Sequence, residues 1–211
     1  VIGDPDRRRV DPRGDAGIDK VARAAPGMFT MTPSTAFHDI DSTRALWVHL
    51  RLENASHTGG DWIVTIPLPQ VDRVSAYQRS SSGAWLQHSA GDRVAVTDWP
   101  VIGLYPKFSV RIDARSTRDL YLQVRNFKGL VLPIRIDNAQ SHAQWRDLEY
   151  SVLGLVIGAL LMLSAWCAGQ YAQRRNRVEG WFTVYGLLIA VVIATLSGLL
   201  AQFLWPQSPI W

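Results

Sequence analysis

The sequence has little of what a catalytic or disulfide-stabilised protein requires. It contains one cysteine, Cys167, which cannot form an intrachain disulfide, so the fold does not depend on a disulfide framework. His38, Asp39 and Asp41 lie close in sequence, but the five histidines lack the paired spacing of metal ligands. There is no GxSxG motif, no phosphate-binding loop and no nucleophile with an evident partner. The sequence therefore predicts no catalytic site, no metal and no cofactor, and we expect no enzyme activity from this chain.

A strong excess of one charge is also missing. The formal net charge is +4, and acidic and basic residues are interspersed over residues 1–149, apart from the run Arg7, Arg8 and Arg9. A lone arginine run, with no second basic cluster and no aromatic platform, is typical of a solvated arm rather than of a nucleic-acid site. Nucleic acid is therefore not predicted as a partner.

Charge is nearly absent from Tyr150 onward, where the charged residues are Arg174, Arg175, Arg177 and Glu179. The uncharged runs 150–173 and 181–205 are long enough for the about 20 apolar residues that span a bilayer core, and neither has the polar face of a water-soluble helix. The sequence thus predicts two transmembrane helices. Three arginines in the short connection 174–180 place it in the cytoplasm, so residues 1–149 are predicted to lie outside.

Small residues recur at helix-packing spacing in both predicted membrane helices. They are Gly154 and Gly158 in the first helix, and Gly186, Ala190, Ala194 and Gly198 in the second. Such spacing lets helix backbones approach closely, although glycine and alanine are common enough in membrane helices to recur by chance. A bundle needs more than two helices, so we expect residues 206–211 to begin a periplasmic loop and the natural protein to continue with further transmembrane helices.

The N-terminal end shows little apolar periodicity. Residues 1–27 are rich in Asp, Arg, Gly and Pro, and we expect them to form a loosely ordered arm. The chain begins at Val1 and has no apolar signal segment there. We therefore expect it to be the trimmed or processed product of a longer precursor.

Apolar and polar residues alternate in several segments after Arg44. The apolar positions are Leu46, Val48, Leu50 and Leu52; Trp62, Val64, Ile66 and Leu68; Phe108, Val110 and Ile112; Leu120, Leu122 and Val124; and Leu130, Leu132, Ile134 and Ile136. This alternation is typical of half-buried strands, and shorter strands are predicted near 72–79, 83–88 and 93–97. About eight short strands predict an all-β jelly roll or β-sandwich over residues 28–138. Residues 139–149 would then be a short helical lead into the membrane.

Aromatic residues are the best candidates for a ligand site, because sugar rings bind on aromatic faces with a few polar groups fixing their orientation. The candidates are Trp47, Trp85, Trp99 and Tyr105, with His88 and Arg111 as hydrogen-bonding partners. Each has an alternative role as a structural residue. Trp47 either lines a wet concave sheet or is covered by the N-terminal arm, and the sequence does not decide between the two.

The order of several weak motifs resembles one receptor family. They are Leu46-Trp47-Val48-His49-Leu50 with Glu53-Asn54; Asp61-Trp62; Asp72-Arg73-Val74 with Tyr77; Gly83 and Trp85; Gly91-Asp92; Phe108; Leu120-Tyr121-Leu122-Gln123-Val124; Leu132-Pro133-Ile134; and, after the first membrane helix, Phe203-Leu204-Trp205-Pro206. In this order they resemble the bacterial seven-transmembrane receptors with diverse intracellular signalling modules, from about residue 28 to 211. The N-terminal part resembles the second of that family's two extracellular domain types. Gln123 departs from the arginine that the family often has after Tyr-Leu.

The resemblance implies a jelly-roll sensor, similar to carbohydrate-binding modules, that faces the periplasm from the bacterial inner membrane. It also implies further transmembrane helices and a cytoplasmic output domain, a diguanylate cyclase or a histidine kinase, that is absent from this chain. The expected partners are the lipid bilayer and a saccharide or other envelope-derived ligand, and a homodimer is compatible with this organisation. The alternative is a membrane-anchored carbohydrate-binding or structural envelope module without signalling.

Overall fold

A computed structural model describes residues 2, 3, 7–23, 29–33 and 35–207. The strands are β1 (Ile2–Gly3), β2 (Arg7–Asp11), β3 (Thr30–Met31), β4 (Phe37–His38), β5 (Ala45–Asn54), β6 (Gly60–Thr65), β7 (Arg73–Arg79), β8 (Trp85–Ala90), β9 (Lys107–Ile112), β10 (Ser116–Arg125), β11 (Leu130–Val131) and β12 (Arg135–Asn138). The helices are α1 (Ile18–Ala22), α2 (Ala139–Arg174), α3 (Arg177–Leu196) and α4 (Leu199–Phe203).

The strands form two principal antiparallel sheets that pack face to face. The larger sheet has the order β3-β2-β5-β10-β7-β8, with β1 also paired to β5, and the smaller sheet has the order β12-β6-β9. Leu50 and Leu122 of the larger sheet share one buried cluster with Val64, Phe108 and Val110 of the smaller sheet. The predicted β-sandwich followed by membrane helices is therefore confirmed, and the jelly-roll topology stays an interpretation.

The predicted strand near 93–97 is wrong. Gly91 has a φ of +130°, and the chain turns there, with the amide of Val94 donating to the carbonyl of Gly91 at 2.9 Å. Val96–Asp98 then forms a single 3₁₀ turn. Two hydrogen bonds hold the turn at Gly91 against the start of β7: the amides of Asp92 and Arg93 donate to the carbonyls of Val71 and Asp72. These local bonds satisfy backbone groups that a strand would have paired with a neighbour.

The N-terminal arm is ordered over residues 7–23, so the prediction of a loosely ordered arm is wrong there. β2 pairs with β5 along its length, because β5 otherwise presents an unpaired edge. Arg8 is buried and is not a solvated arm residue: its guanidinium donates to the carbonyl of Leu132 and to Nε2 of His38, each at 2.8 Å. Residues 4–6 and 24–28 lie outside the described residues.

The first membrane helix does not begin at residue 150. α2 is continuous for 36 residues, about 54 Å at 1.5 Å per residue, and it starts directly after β12. Asn138 caps it, since its side-chain oxygen accepts a hydrogen bond from the amide of Ser141 at 2.7 Å. The expected short lead over residues 139–149 is thus the first three turns of one helix, without a break before the bilayer.

The second membrane helix is interrupted near its C-terminal end. α3 ends at Leu196, and Gly198 adopts φ +80° before α4 continues the chain. The amide of Gly198 donates to the carbonyl of Thr195 at 3.0 Å, a glycine-terminated helix end that the uncharged run 181–205 did not reveal.

The predicted helix-packing residues fall into two groups. Ala190 and Ala194 are buried between the helices, and a Cβ atom on Gly186 would collide with Oγ of Ser164. Gly154 and Gly158 have no atom within 4 Å of the position of an added Cβ, so they lie on a face of α2 that α3 does not cover. The small residues at the contact between α2 and α3 are therefore those of α3. Gly198 does not belong to this contact, because it lies beyond the end of α3.

Candidate ligand-binding face and membrane junction

A row of aromatic rings crosses the face of the larger sheet that points away from the sandwich core. Tyr121 of β10 pairs with His49 of β5 and Tyr77 of β7, so strand register brings these rings together. The rings of His49 and Tyr121 are stacked with centroids 4.5 Å apart, and Trp85 meets Tyr121 edge-on at 5.7 Å. Trp47 lies 5.5 Å from Tyr77. These contacts form because alternate residues of adjacent strands share one face.

The N-terminal arm covers one end of this aromatic row. Val21 of α1 and Phe29 pack on Trp47, whose side chain is only 1% exposed. Trp47 is therefore covered by the arm and does not line a wet concave surface. Asp19 of α1 fixes the arm further, because it accepts a hydrogen bond from Nε1 of Trp85 at 3.0 Å.

The Trp85 end of the row borders a cavity of about 440 Å³, a volume within the usual range of small-ligand sites. Its wall consists of Ala22 of α1, Arg79, Trp85, Asp113, Ser116, Thr117, Arg118, Asp119 and Tyr121. The guanidinium of Arg79 lies over the Trp85 ring, 4.4 Å from its centre. An aromatic wall with convergent hydrogen-bonding groups suits a polar ligand that has an apolar face.

The charges of this cavity are set by its hydrogen bonds. The side chain of His49 lies 2.9 Å from the carboxylate of Asp119, and this hydrogen bond lowers the pKa of Asp119. Burial raises the pKa of Tyr121, with a smaller contribution from the nearby charge of Asp119. At neutral pH the cavity thus presents a carboxylate acceptor beside a protonated tyrosine hydroxyl.

The structure does not bring the six predicted ligand residues together. Trp47 and Trp85 share the outer face of the larger sheet. His88 is exposed on edge strand β8, opposite Ala76 on the core side of that sheet. Arg111 is exposed on the smaller sheet, with its guanidinium 3.8 Å from Asp61.

The other two predicted residues lie beside the helices that follow the sandwich. Trp99 is buried, and its Nε1 donates to the carbonyl of Val94 at 3.0 Å. Tyr105 lines a separate groove beside α2 and α3.

The residues that sequence analysis missed as site candidates are His49, Tyr77, Arg79, Arg118, Asp119 and Tyr121. Their signal was the polar half of the strand alternation: His49 lies between the buried residues Val48 and Leu50, and Tyr121 lies between the buried residues Leu120 and Leu122. Aromatic residues in turn-rich segments were predicted to form the site instead, but a turn does not indicate which strand lies beside it.

The membrane junction begins where β12 meets α2. Arg135 pairs with Asp137 at 2.8 Å and with Glu149 at 3.5 Å, so it ties the end of the sandwich to the third turn of α2. Its guanidinium also lies 5.6 Å from the ring centre of Trp145. These contacts fix the direction in which α2 leaves the sandwich.

A second contact joins the sandwich to the end of α3. Gly198 approaches the carbonyl of Leu104 so closely that an added Cβ would lie 3.1 Å from it. The amide of Thr97 donates to the carbonyl of Pro206 at 3.2 Å. The sandwich therefore contacts α2 and the segment that follows α3.

Asp92 lies in a mainly apolar cavity of about 270 Å³ at this second contact, together with Pro69, Thr195 and Gly198. Burial raises its pKa to about 6, and the neighbouring carboxylate of Asp72 adds to the effect. Arg93 faces Asp72 at 3.7 Å, whereas the cavity residues contributed by α3 and α4 carry no charge. These surroundings thus favour the protonated form of Asp92 more than water does.

We expect the chain to become more stable as the pH falls from about 6 to about 4. In that window the folded state retains the Asp92 proton that the unfolded state loses, so stability falls as the pH rises through it. With allowance for partial solvent screening, the contribution is roughly 1–2 kcal/mol. Urea unfolding at several pH values would measure it. Asp92→Asn should flatten the slope and Asp98→Asn, at an exposed carboxyl nearby, should keep it; an unchanged slope in Asp92→Asn would contradict the assignment.

Comparisons with known proteins cover both parts of the chain. The family model for 7TMR-DISM extracellular 2 matches residues 8–138, and that for 7TM diverse intracellular signalling matches residues 149–211. Among solved structures, the chain is similar to an uncharacterised protein from Burkholderia cenocepacia, with 12% identity and a TM-score of 0.28 over 53% of this chain. The match spans 34% of the length of that protein. The comparison with curated proteins gave no match.

Proposed function

Since the chain belongs to the family of seven-transmembrane receptors with diverse intracellular signalling, we propose that it is the ligand-sensing input module of such a receptor. It combines an extracellular sensor domain with part of the receptor's transmembrane region, and both matched regions are sensory or membrane-spanning rather than catalytic. We place it in a bacterial inner membrane, with the sandwich in the periplasm. A diguanylate cyclase or histidine kinase is the proposed output domain.

The observation that carries this proposal is the uninterrupted path from β12 into α2. Asn138 is both the last residue of the strand and the cap of the helix, so no flexible linker separates the two. Arg135 adds a contact to Glu149 across the junction. A domain that only needed anchoring would function equally well on a loose tether, whereas a sensor must pass a change of shape into the membrane.

The ligand site of this proposal is the cavity beside Trp85 and Tyr121, for which we propose a saccharide. The cavity lies at the C-terminal end of β7 and the N-terminal end of β10, and β7 leads from Arg79 back to Arg73, beside the turn at Gly91. A ligand that prefers one arrangement of arm and sheet shifts the population of that arrangement. Both helix contacts would then shift with the sheet.

The binding step is tested with a panel of bacterial envelope saccharides and the whole chain in detergent micelles. Trp85→Ala should weaken binding about tenfold or more while the melting temperature changes little, because Trp85 is partly exposed at the cavity. Trp99→Ala is the contrasting variant: it should lower the melting temperature and leave the affinity of the folded protein unchanged. Binding that survives Trp85→Ala would place the ligand elsewhere.

The transmission step needs a probe on the cytoplasmic side. A fluorophore on Asn176→Cys, in a Cys167→Ser background, would report a saccharide-induced change at the loop between α2 and α3. A short glycine insertion between Gln144 and Trp145 should abolish that change without weakening binding. Binding without any change at the loop would favour a membrane-anchored envelope module without signalling.

A further inference from the structure

Two arginines in the cavity wall are fixed in position but not neutralised. Nη1 of Arg79 donates to the carbonyl of Gly83 at 2.9 Å, and Nη1 of Arg118 donates to the carbonyl of Arg79 at 3.1 Å. Within the described ranges, neither guanidinium forms a salt bridge. A guanidinium has five N–H donors, so most of those on both groups remain for a ligand.

The acidic residues of the cavity have a different arrangement. Asp119 is engaged by His49 at 2.9 Å, and the charge of Arg51 also contributes to lowering the pKa of its carboxyl. Asp113 lies in the wall with Ser116 and Thr117, and Oγ of Ser116 donates to the backbone carbonyl of Asp113 at 2.8 Å. Carboxylates and hydroxyls of this kind accept hydrogen bonds from the hydroxyl groups of a sugar.

From this arrangement we infer that the cavity binds a saccharide that carries a carboxylate, an inference that rests on the proposed ligand-sensing function. The carboxylate pairs with the guanidinium groups of Arg79 and Arg118, since the planar fork of a guanidinium can donate two parallel hydrogen bonds to a carboxylate. The sugar ring lies near Trp85, and its hydroxyls meet Asp113 and Asp119. A neutral sugar leaves the two cationic groups unmatched, and a bare anion is repelled by the two carboxylates.

The test compares trigalacturonate with the neutral galactotriose, using calorimetry on the whole chain in micelles. Trigalacturonate should bind about tenfold or more tightly, as a charge-assisted hydrogen bond predicts. That preference should weaken at higher salt concentration, because screening acts on an exposed ion pair. Arg79→Gln and Arg118→Gln should each remove most of the preference. Arg73→Gln should keep it, because Arg73 is exposed on the same sheet but lies outside the cavity wall.

Equal affinity for the two trisaccharides, or absence of trigalacturonate binding, would overturn the inference. A preference retained in both glutamine variants would do the same, and if Arg79→Gln unfolds the sandwich, Arg118→Gln and the salt dependence decide. The experiment distinguishes failure of the proposed ligand class from failure of the proposed sensing function. A neutral saccharide that changes the probe at Asn176→Cys would overturn the ligand class alone, whereas trigalacturonate bound without any probe response would support the ligand class and contradict signalling.

Discussion

Leu122→Ala should lower the free energy of unfolding of the sandwich by about 2–5 kcal/mol, through lost burial and the cavity left behind. Leu122 is fully buried at the middle of β10, the strand that lies between β5 and β7 in the larger sheet. Its register partners are Val48 and Ala76, both in the core cluster, so neighbouring strands cannot close the gap without breaking their pairing. Urea unfolding of the whole chain in micelles, followed by the circular dichroism of the sheet, measures the change.

Tyr121→Ala is the matched control on the opposite face of the same strand. Its ring stacks on His49 and meets the edge of Trp85, but it stays partly exposed at the cavity. Loss of these ring contacts should cost about 1–2 kcal/mol, less than the loss of Leu122. A larger loss for Tyr121→Ala than for Leu122→Ala would mean that the sandwich core lies on the other face of β10.

The strands of the core were predictable because their apolar residues alternate. Leu120, Leu122 and Val124 are all buried, as their spacing indicates. The strand β2 was not predictable, because a run of three arginines is typical of a solvated arm rather than of a strand. Burial of Arg8 depends on His38 and the carbonyl of Leu132, which lie 30 and 124 residues away in sequence. The composition around Arg8 gives no information about hydrogen-bond partners so far away in sequence.

The ligand face was predictable only in part, for a related reason. Sequence alternation separates Trp47, His49 and Tyr121 from the core residues beside them. Which aromatic meets which is decided by strand register: Tyr121 lies opposite both His49 and Tyr77. Register depends on pairing between distant segments, so sequence analysis selected aromatics by local turn content and included Trp99 and Tyr105, which lie elsewhere.

The membrane helices were likewise predictable in part: their existence was predictable from the sequence, but their ends were not. The absence of charge predicted both spans, since that feature depends on composition alone. The start of α2 at Ala139 depends on the cap formed by Asn138, and the end of α3 depends on the conformation of Gly198. Both features determine how the sandwich meets the membrane, and both are single-residue effects within segments whose average composition is uninformative.

Gly91→Ala should lower the free energy of unfolding by about 3–5 kcal/mol, the sum of backbone strain and overpacking. Gly91 has a φ of +130°, a backbone conformation that residues other than glycine rarely adopt. An added Cβ would lie 2.7 Å from the carbonyl oxygens of Val71 and Asp72, and these backbone atoms cannot move aside like a side chain. The clash would separate the turn from the start of β7 and displace Asp92 from the helix junction.

Gly83→Ala separates the two contributions to that loss. Gly83 also has a positive φ, +83°, but an added Cβ there has no atom within 4 Å. It should therefore cost only the strain of a left-handed residue, about 1–2 kcal/mol. The two variants are compared by urea unfolding of the whole chain in micelles. Equal losses would show that the turn at Gly91 yields to a methyl group, and that the sandwich does not hold the junction rigidly at this point.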